Sequence, residues 1–234
     1  MDAAHVLLDR CRSDGNQVCG YSASGTATAV LSNCVSEGDC RGCAVCKQGM
    51  LKGQNTTMSG SEKSGVEIWA GGFAELKNCT ITGCGKQGVM LSDEGSGVSV
   101  VRCSVSGTHE SCVFAKSGAK GSVKRCTLER SGASHGVVAQ GQGAHIELES
   151  SRLLNNAQCG AFVHGEAAMT VKMCESRSNK REGYWAQHKG KIVVSNSSSD
   201  GDKKGCGAAD GGMVEMVNVA CDGECSTGIL PAGY

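Results

Sequence analysis

Aromatic side chains are scarce in this sequence. They make up 3% of its 234 residues, too few to fill an ordinary globular core of that length. Proline occurs once. No composition shift marks a linker, so 1–234 reads as a single domain. Net charge is absent as well, because 23 Lys and Arg balance 23 Asp and Glu. That balance removes the electrostatic reason to expect nucleic acid or an anionic membrane surface as a partner. No apolar run approaches the roughly 18 residues of a spanning helix, so direct membrane insertion is not expected. Residues Met1 to Arg10 lack the basic lead and long apolar stretch of a secretory signal.

Glycine, by contrast, is abundant, with 35 copies, and it is periodic. Units of 22 to 24 residues open at Gly20, Gly42, Gly65, Gly88, Cys112, Gly136, Gly160, Gly183, Gly205 and Gly228. In most units an apolar residue follows, then a second Gly about seven positions on, then Cys, Ser or Thr near the fourteenth. A fixed period of this length signals a stacked-repeat architecture. Within the unit from Gly65, Val66 and Ile68 alternate with Glu67 and Trp69, and Ala74 and Leu76 with Glu75 and Lys77. Alternation with period two marks short, half-buried strands, and the glycines mark bends between them. Each unit is therefore two or three strands with no helix. One unit cannot bury its apolar face alone, so the units stack.

Aligning the units gives inward columns. One reads Val45, Ile68, Leu91, Ala115, Ala139, Val163, Ala186 and Ala208. Another reads Leu8, Leu31, Leu76, Val100, Val123, Leu148, Val171, Val194 and Met216. The expected fold is all-β: a single-stranded right-handed parallel β-helix of about ten coils, 22–24 residues per coil. The hand follows from chain chirality and precedent. At a strand spacing of roughly 4.8 Å, ten coils make a rod on the order of 45 to 50 Å long.

The sixteen cysteines read as part of the repeat rather than as a disulfide framework. Cys11, Cys34, Cys79, Cys103, Cys126 and Cys174 share one column with Thr56, Ser151 and Ser197. A column that accepts Cys, Ser or Thr wants a small, slightly polar side chain at an inward bend. Reduced, buried thiols are expected, and with them a reducing, cytoplasmic setting. Three short glycosylation patterns, at Asn55, Asn78 and Asn196, point the other way but are common by chance in such a repeat. Cys40, Cys43 and Cys46, with Cys19 one coil below, have spacing from which a zinc site is built. Cys43 takes an inward strand position and Cys46 an outward one, so their side chains diverge. Cys221 and Cys225 form a second close pair with less to recommend it. No metal and no other cofactor is expected.

The pattern Gly-Val-x4-Gly-x6-Cys-x-Ile, clearest in Gly65–Gln87, Gly88–Ser111 and Gly160–Glu182, resembles the right-handed β-helix repeat family. The resemblance runs from about Val6 to Leu230. That family shares its fold with pectate lyases and other polysaccharide-active enzymes, and includes β-helix repeats of F-box-type adaptors and of scaffold proteins. It implies the fold and leaves the activity open, because one coil hosts lyases, hydrolases, epimerases and non-enzymes. The family's polygalacturonases carry Asn-Thr-Asp, paired Asp and Ser-His-Gly motifs. Here Ser134-His135-Gly136 matches only the last, without its partners, and reads as coincidence. Asp93-Glu94 is the one adjacent acidic pair of the central coils and reads as a solvated turn.

The outward face of the first strand is the candidate functional surface. Two residues after each opening position stand Glu67, Met90, Phe114, Val138, Phe162 and Trp185, with Leu230 at the end. An exposed apolar stripe of this kind marks an interaction surface. Beside it run Trp69, Ser92, Lys116, Gln140, His164 and Gln187, with His188 adjacent. The leading expectation is a non-catalytic scaffold that docks other proteins of a larger assembly through Trp69, Met90, Phe114, Val138, Phe162 and Trp185. The alternative is binding or cleavage of an acidic polysaccharide, with Lys116, His164 and His188 over the same strands. A loop or neighbouring domain covering the stripe is the third. No polar cap closes the solenoid's ends, and only Pro231 blunts the last edge. The ends are therefore expected to meet partners or further chain.

Overall fold

The computed structural model describes residues 4–222. Among them every regular element is a strand. The coil from Gly65 is representative. Its first strand is Val66–Trp69, its second Phe73–Lys77 and its third Thr80–Thr82. First strands of successive coils pair side by side into a sheet of nine, and second and third strands into one of eighteen. The pairings are parallel and keep register from coil to coil, as in Val66 to Val89 to Val113. The result is a β-solenoid of nine coils among the described residues, on the order of 40 Å long at one strand spacing per coil. The sequence counts a tenth opening at Gly228, which lies outside those residues together with Leu230, Pro231 and Cys225.

Both inward columns are where the alternation places them. Val45, Ile68, Leu91, Ala115, Ala139, Val163 and Ala186 are buried, as are Leu31, Leu76, Val100, Val123, Leu148, Val171 and Val194. Burying a Leu or Ile side chain contributes about 1.5–3 kcal/mol, so this stack is the main stabilising term. At the described ends the columns open out. Leu8, Ala208 and Met216 only lean on the core, and Val6 is 49% exposed. The opening glycines are set by packing. A Cβ on Gly88 would run into Val105 Cγ1, and one on Gly65 into Ile81 Cγ2.

The bend between second and third strands explains the Cys, Ser and Thr column. One residue per coil takes a left-handed conformation there, among them Asn33, Asn55, Asn78, Arg102, Arg125, Ser150 and Met173, with φ of 50° to 56°. The bend interrupts the backbone ladder and leaves the next N–H without a carbonyl partner. The side chain one coil on accepts it. Cys79 N–H donates to Cys103 Sγ at 3.3 Å, Cys103 N–H to Cys126 Sγ at 3.4 Å, and Cys126 N–H to Ser151 Oγ at 3.1 Å. Cys174 N–H donates likewise to Ser197 Oγ at 3.0 Å. The column therefore needs a small acceptor, and sulfur or oxygen serves. Elsewhere in the core, burial pushes the Cys84 thiol to about 11 and the Cys112 thiol to about 12, which keeps both protonated and unreactive.

A second ladder lies at the bend from third strand back to first. Ser131 N–H donates to Asn156 Oδ1 at 3.2 Å, Asn156 N–H to Asn179 Oδ1 at 2.9 Å, and Asn179 N–H to Asp202 Oδ1 at 2.6 Å. Asp39 does the same near the start, accepting from Asn16 N–H at 2.7 Å. The acceptors Asp39, Asn156, Asn179 and Asp202 are buried and satisfied, as burial of polar atoms demands.

Candidate functional site

Strand pairing sets Met90, Phe114, Val138, Phe162 and Trp185 in one row across five adjacent strands of the nine-stranded sheet. The row extends to Glu67 on one side and Gly207 on the other. Their neighbours Val113, Val137 and Ala161 face the core, so the row faces out, because side chains alternate along a strand. It is less open than the sequence implies. Met90, Phe114, Phe162 and Trp185 are half-buried, and Val138 is 4% exposed. Val138 is a short side chain between two phenylalanines one strand away, and it sinks between them.

The second row holds Lys116, Gln140, His164 and Gln187 in direct pairing, with Trp69 farther along beside Cys46. Lys116 and His164 are thus two strands apart, roughly 10 Å, and of the two only Lys116 lines the first of two hollows on this face. The first hollow, about 360 Å³, is lined by Arg41, Lys63, Lys86, Gln87, Met90, Phe114 and Lys116, with Ser64 and Glu67. Its floor is apolar and its rim is cationic. Arg41 is paired with Glu67 and Gln87 with Glu110, while Lys63, Lys86 and Lys116 have no side-chain partner among the described residues. The second hollow, about 410 Å³, holds Gly165, Glu166, His188, Lys189 and Asp210. There Lys189 Nζ lies 3.1 Å from Glu166 Oε1, and His188 Nε2 lies 3.8 Å from Asp210 Oδ2.

A run of rings connects the aromatic row to the second hollow. His135 stacks on Phe162 with centroids 4.4 Å apart and planes within 12°. Phe162 meets His164 at 6.1 Å, and His164 meets His188 at 4.7 Å. His135 was not expected in the site. Its Nδ1 accepts the Cys159 N–H at 3.1 Å, which leaves the proton on Nε2. Burial, with the nearby Arg181 charge second, pushes its pKa down to about 4. The imidazole is neutral in ordinary buffers and keeps one donor, at Nε2. Its signal in the sequence is positional. One residue before an opening Gly, the side chain falls beside the outward row of the next coil. Arg41, Lys63 and Lys86 stand one or two residues before an opening Gly and reach the same face.

Cys40, Cys43 and Cys46 point to different places. Cys43 faces the core at 0% exposure, Cys40 is buried in the preceding bend and Cys46 faces outward. Among the described residues no group of three or more His, Cys, Asp or Glu could hold a metal ion. Cys221, half of the other close pair, has its Sγ 3.6 Å from Cys206 Sγ.

The model of the right-handed β-helix region matches residues 64–220. The chain belongs to the right-handed β-helix family. No curated protein matches its sequence. Among solved structures, this right-handed β-helix is similar to pectate lyase Pel9A, with a TM-score of 0.70 at 11% identity over 97% of this chain and 70% of that one. It is also similar to the A-module of mannuronan C-5 epimerase AlgE4 from Azotobacter vinelandii, with a TM-score of 0.57 at 9% identity over 99% of this chain and 90% of that one. At such identities the likeness is one of fold. It supplies the hand of the coil, which parallel pairing leaves open, and carries over no residue of either site.

Proposed function

We propose that this right-handed β-helix binds an acidic polysaccharide lengthwise along the outer face of its nine-stranded sheet. The observation that carries the proposal is the first hollow, an apolar floor of Met90 and Phe114 rimmed by Lys63, Lys86 and Lys116. It is continuous with the row through Phe162 and Trp185. Sugar rings present apolar faces that stack on such side chains, and acidic groups meet the ammoniums. Two proteins of like fold are named for pectate and mannuronan, both acidic polysaccharides, which favours this reading over a purely structural rod.

The test is calorimetric titration with polygalacturonate and polymannuronate oligomers. Lys116→Ala is expected to weaken binding several-fold, consistent with a partly solvated ion pair of about 0.2–1 kcal/mol. Phe114→Ser with Phe162→Ser is expected to weaken it about tenfold or more, since stacking and area burial act together. Raised salt should cut the Lys116 contribution and spare the aromatic one. Absence of binding to either oligomer would overturn the proposal. The apolar continuity of the row also fits docking of another protein in a larger assembly. Cross-linking that captures a defined neighbour at Phe114, Phe162 and Trp185, in the absence of glycan binding, would select that reading.

A further inference from the structure

A hollow of about 750 Å³ lies elsewhere, at the bend between first and second strands. Its volume is within the ~300–1,000 Å³ range of small-molecule sites. It arises from a departure from the repeat. In most coils this bend is short, as at Ala70 to Gly72 and Ser117 to Ala119. Two coils carry one extra residue, at Asp93 to Ser96 and at Gly141 to Ala144. These two flank the short bend at Ser117 to Ala119, so Glu94 and Gln142 stand as walls over a floor at Gly118. In repeat proteins such insertions fall on one face, often the binding face.

The pit is preformed. The Ala70 N–H donates to Asp93 Oδ2 at 3.1 Å and the Gly71 N–H to Ser96 Oγ at 3.0 Å, bracing the first wall against the coil below. Phe73, Gly97 and Lys120 are direct strand neighbours. Gly97 has no side chain, and the Phe73 ring leans into that gap, where a Cβ on Gly97 would sit 2.8 Å from Phe73 Cδ2. One aromatic surface, one carboxylate, one amide and one ammonium thus converge on a glycine floor. Among the described residues Glu94, Gln142 and Lys120 have no side-chain partner, so their hydrogen-bonding capacity is directed to solvent or to a ligand.

We propose that this pit is a second saccharide site, which takes a neutral pyranose ring. The carboxylate of Glu94 and the ammonium of Lys120 cancel, so the site has no net charge with which to select a uronate. A pyranose stacks its apolar face on Phe73 and gives its hydroxyls to Glu94, Gln142 and Lys120. This rests on the polysaccharide reading only in taking the ligand to be a sugar. Ser117 follows Lys116 directly, so the pit opens beside the sheet face and suits a neutral branch or a neighbouring neutral unit.

The test is backbone amide NMR of the whole chain titrated with neutral gluco-, manno-, galacto- and xylo-tetraoses, and separately with tetragalacturonate. At least one neutral oligomer is expected to shift the amides of Gly95, Ser96, Gly118 and Gly143. Affinity should fall about tenfold on Phe73→Ala, and likewise on Glu94→Ala with Gln142→Ala, an exposed pair whose removal leaves the core intact. It should be unchanged by Lys116→Ala and by Phe162→Ser. The proposal is overturned if no neutral oligomer moves these amides at millimolar concentration, if tetragalacturonate alone moves them, or if the Glu94 and Gln142 double variant binds as wild type. Failure of the sheet-face reading looks different, as absent tetragalacturonate shifts at Phe114 and Phe162 with the pit unaffected.

Discussion

Met173 holds a left-handed bend with φ of 53° and its side chain 53% exposed, at a position where other coils use Asn. An L-residue without a local polar partner loses about 1–2 kcal/mol in that conformation, and Asn tolerates it better. Met173→Asn should therefore raise the melting temperature, measurable by calorimetry. Ser151→Ala should lower stability by about 1–3 kcal/mol, because it strips the buried Cys126 N–H of its acceptor, whereas Ser151→Cys should be nearly silent. Asp202 supplies a pH test. Burial raises its pKa against hydrogen bonds from Ser199, Asn179 and Ser176. A carboxyl whose folded pKa is raised contributes its stability below the unfolded value and loses it as pH rises through the folded one. Asp202→Asn, which extends the ladder of Asn156 and Asn179, should stabilise the protein at neutral pH and change it little well below pH 4, a range set by the ordinary carboxylate pKa of about 3.9. A stabilisation that is equal at both pH values would contradict this account of the ladder.

At the scale of the coil, close approach of backbone to core dominates. Gly88 has no positive φ, so Gly88→Ala costs packing rather than backbone strain, as its Cβ meets Val105 Cγ1. A loss of about 1–3 kcal/mol is expected in denaturant unfolding. This level was the most legible in the sequence, because glycine and period-two apolar residues recur in fixed positions and each encodes one geometric demand. The Cys, Ser and Thr column was legible as a small, slightly polar column. Its role as acceptor for the preceding coil's N–H is not, since that depends on the left-handed residue before that N–H. The buried ladder through Ser131, Asn156, Asn179 and Asp202 is illegible. Its members differ in type, and only the shared bend unites them.

Across the whole molecule, a solenoid turns one-dimensional order into a surface, and the candidate site is a property of that surface. The row from Met90 to Trp185 could be read by counting from each opening Gly. The recession of Val138 could not, because it depends on the size of its two neighbours. Lys116 falls on the outward strand face by counting, but its companions Lys63 and Lys86 come from bends whose direction only the folded coil defines. His135 stands in a motif without partners in the sequence, yet its ring extends the aromatic row through Phe162. The pit at Gly118 is visible in the sequence only as two coils one residue longer at that bend.

On the proposed function, the outer face of the nine-stranded sheet binds acidic glycan through stacking and ammonium contacts together. The most direct measurement is the affinity for tetragalacturonate of the wild type, of Lys116→Ala and of Phe114→Ser with Phe162→Ser, each at low and high salt. Binding is expected to weaken in both variants, with salt sensitivity reduced in Lys116→Ala and retained in the phenylalanine variant. Wild-type binding that is absent, or unaffected by either change, would contradict it.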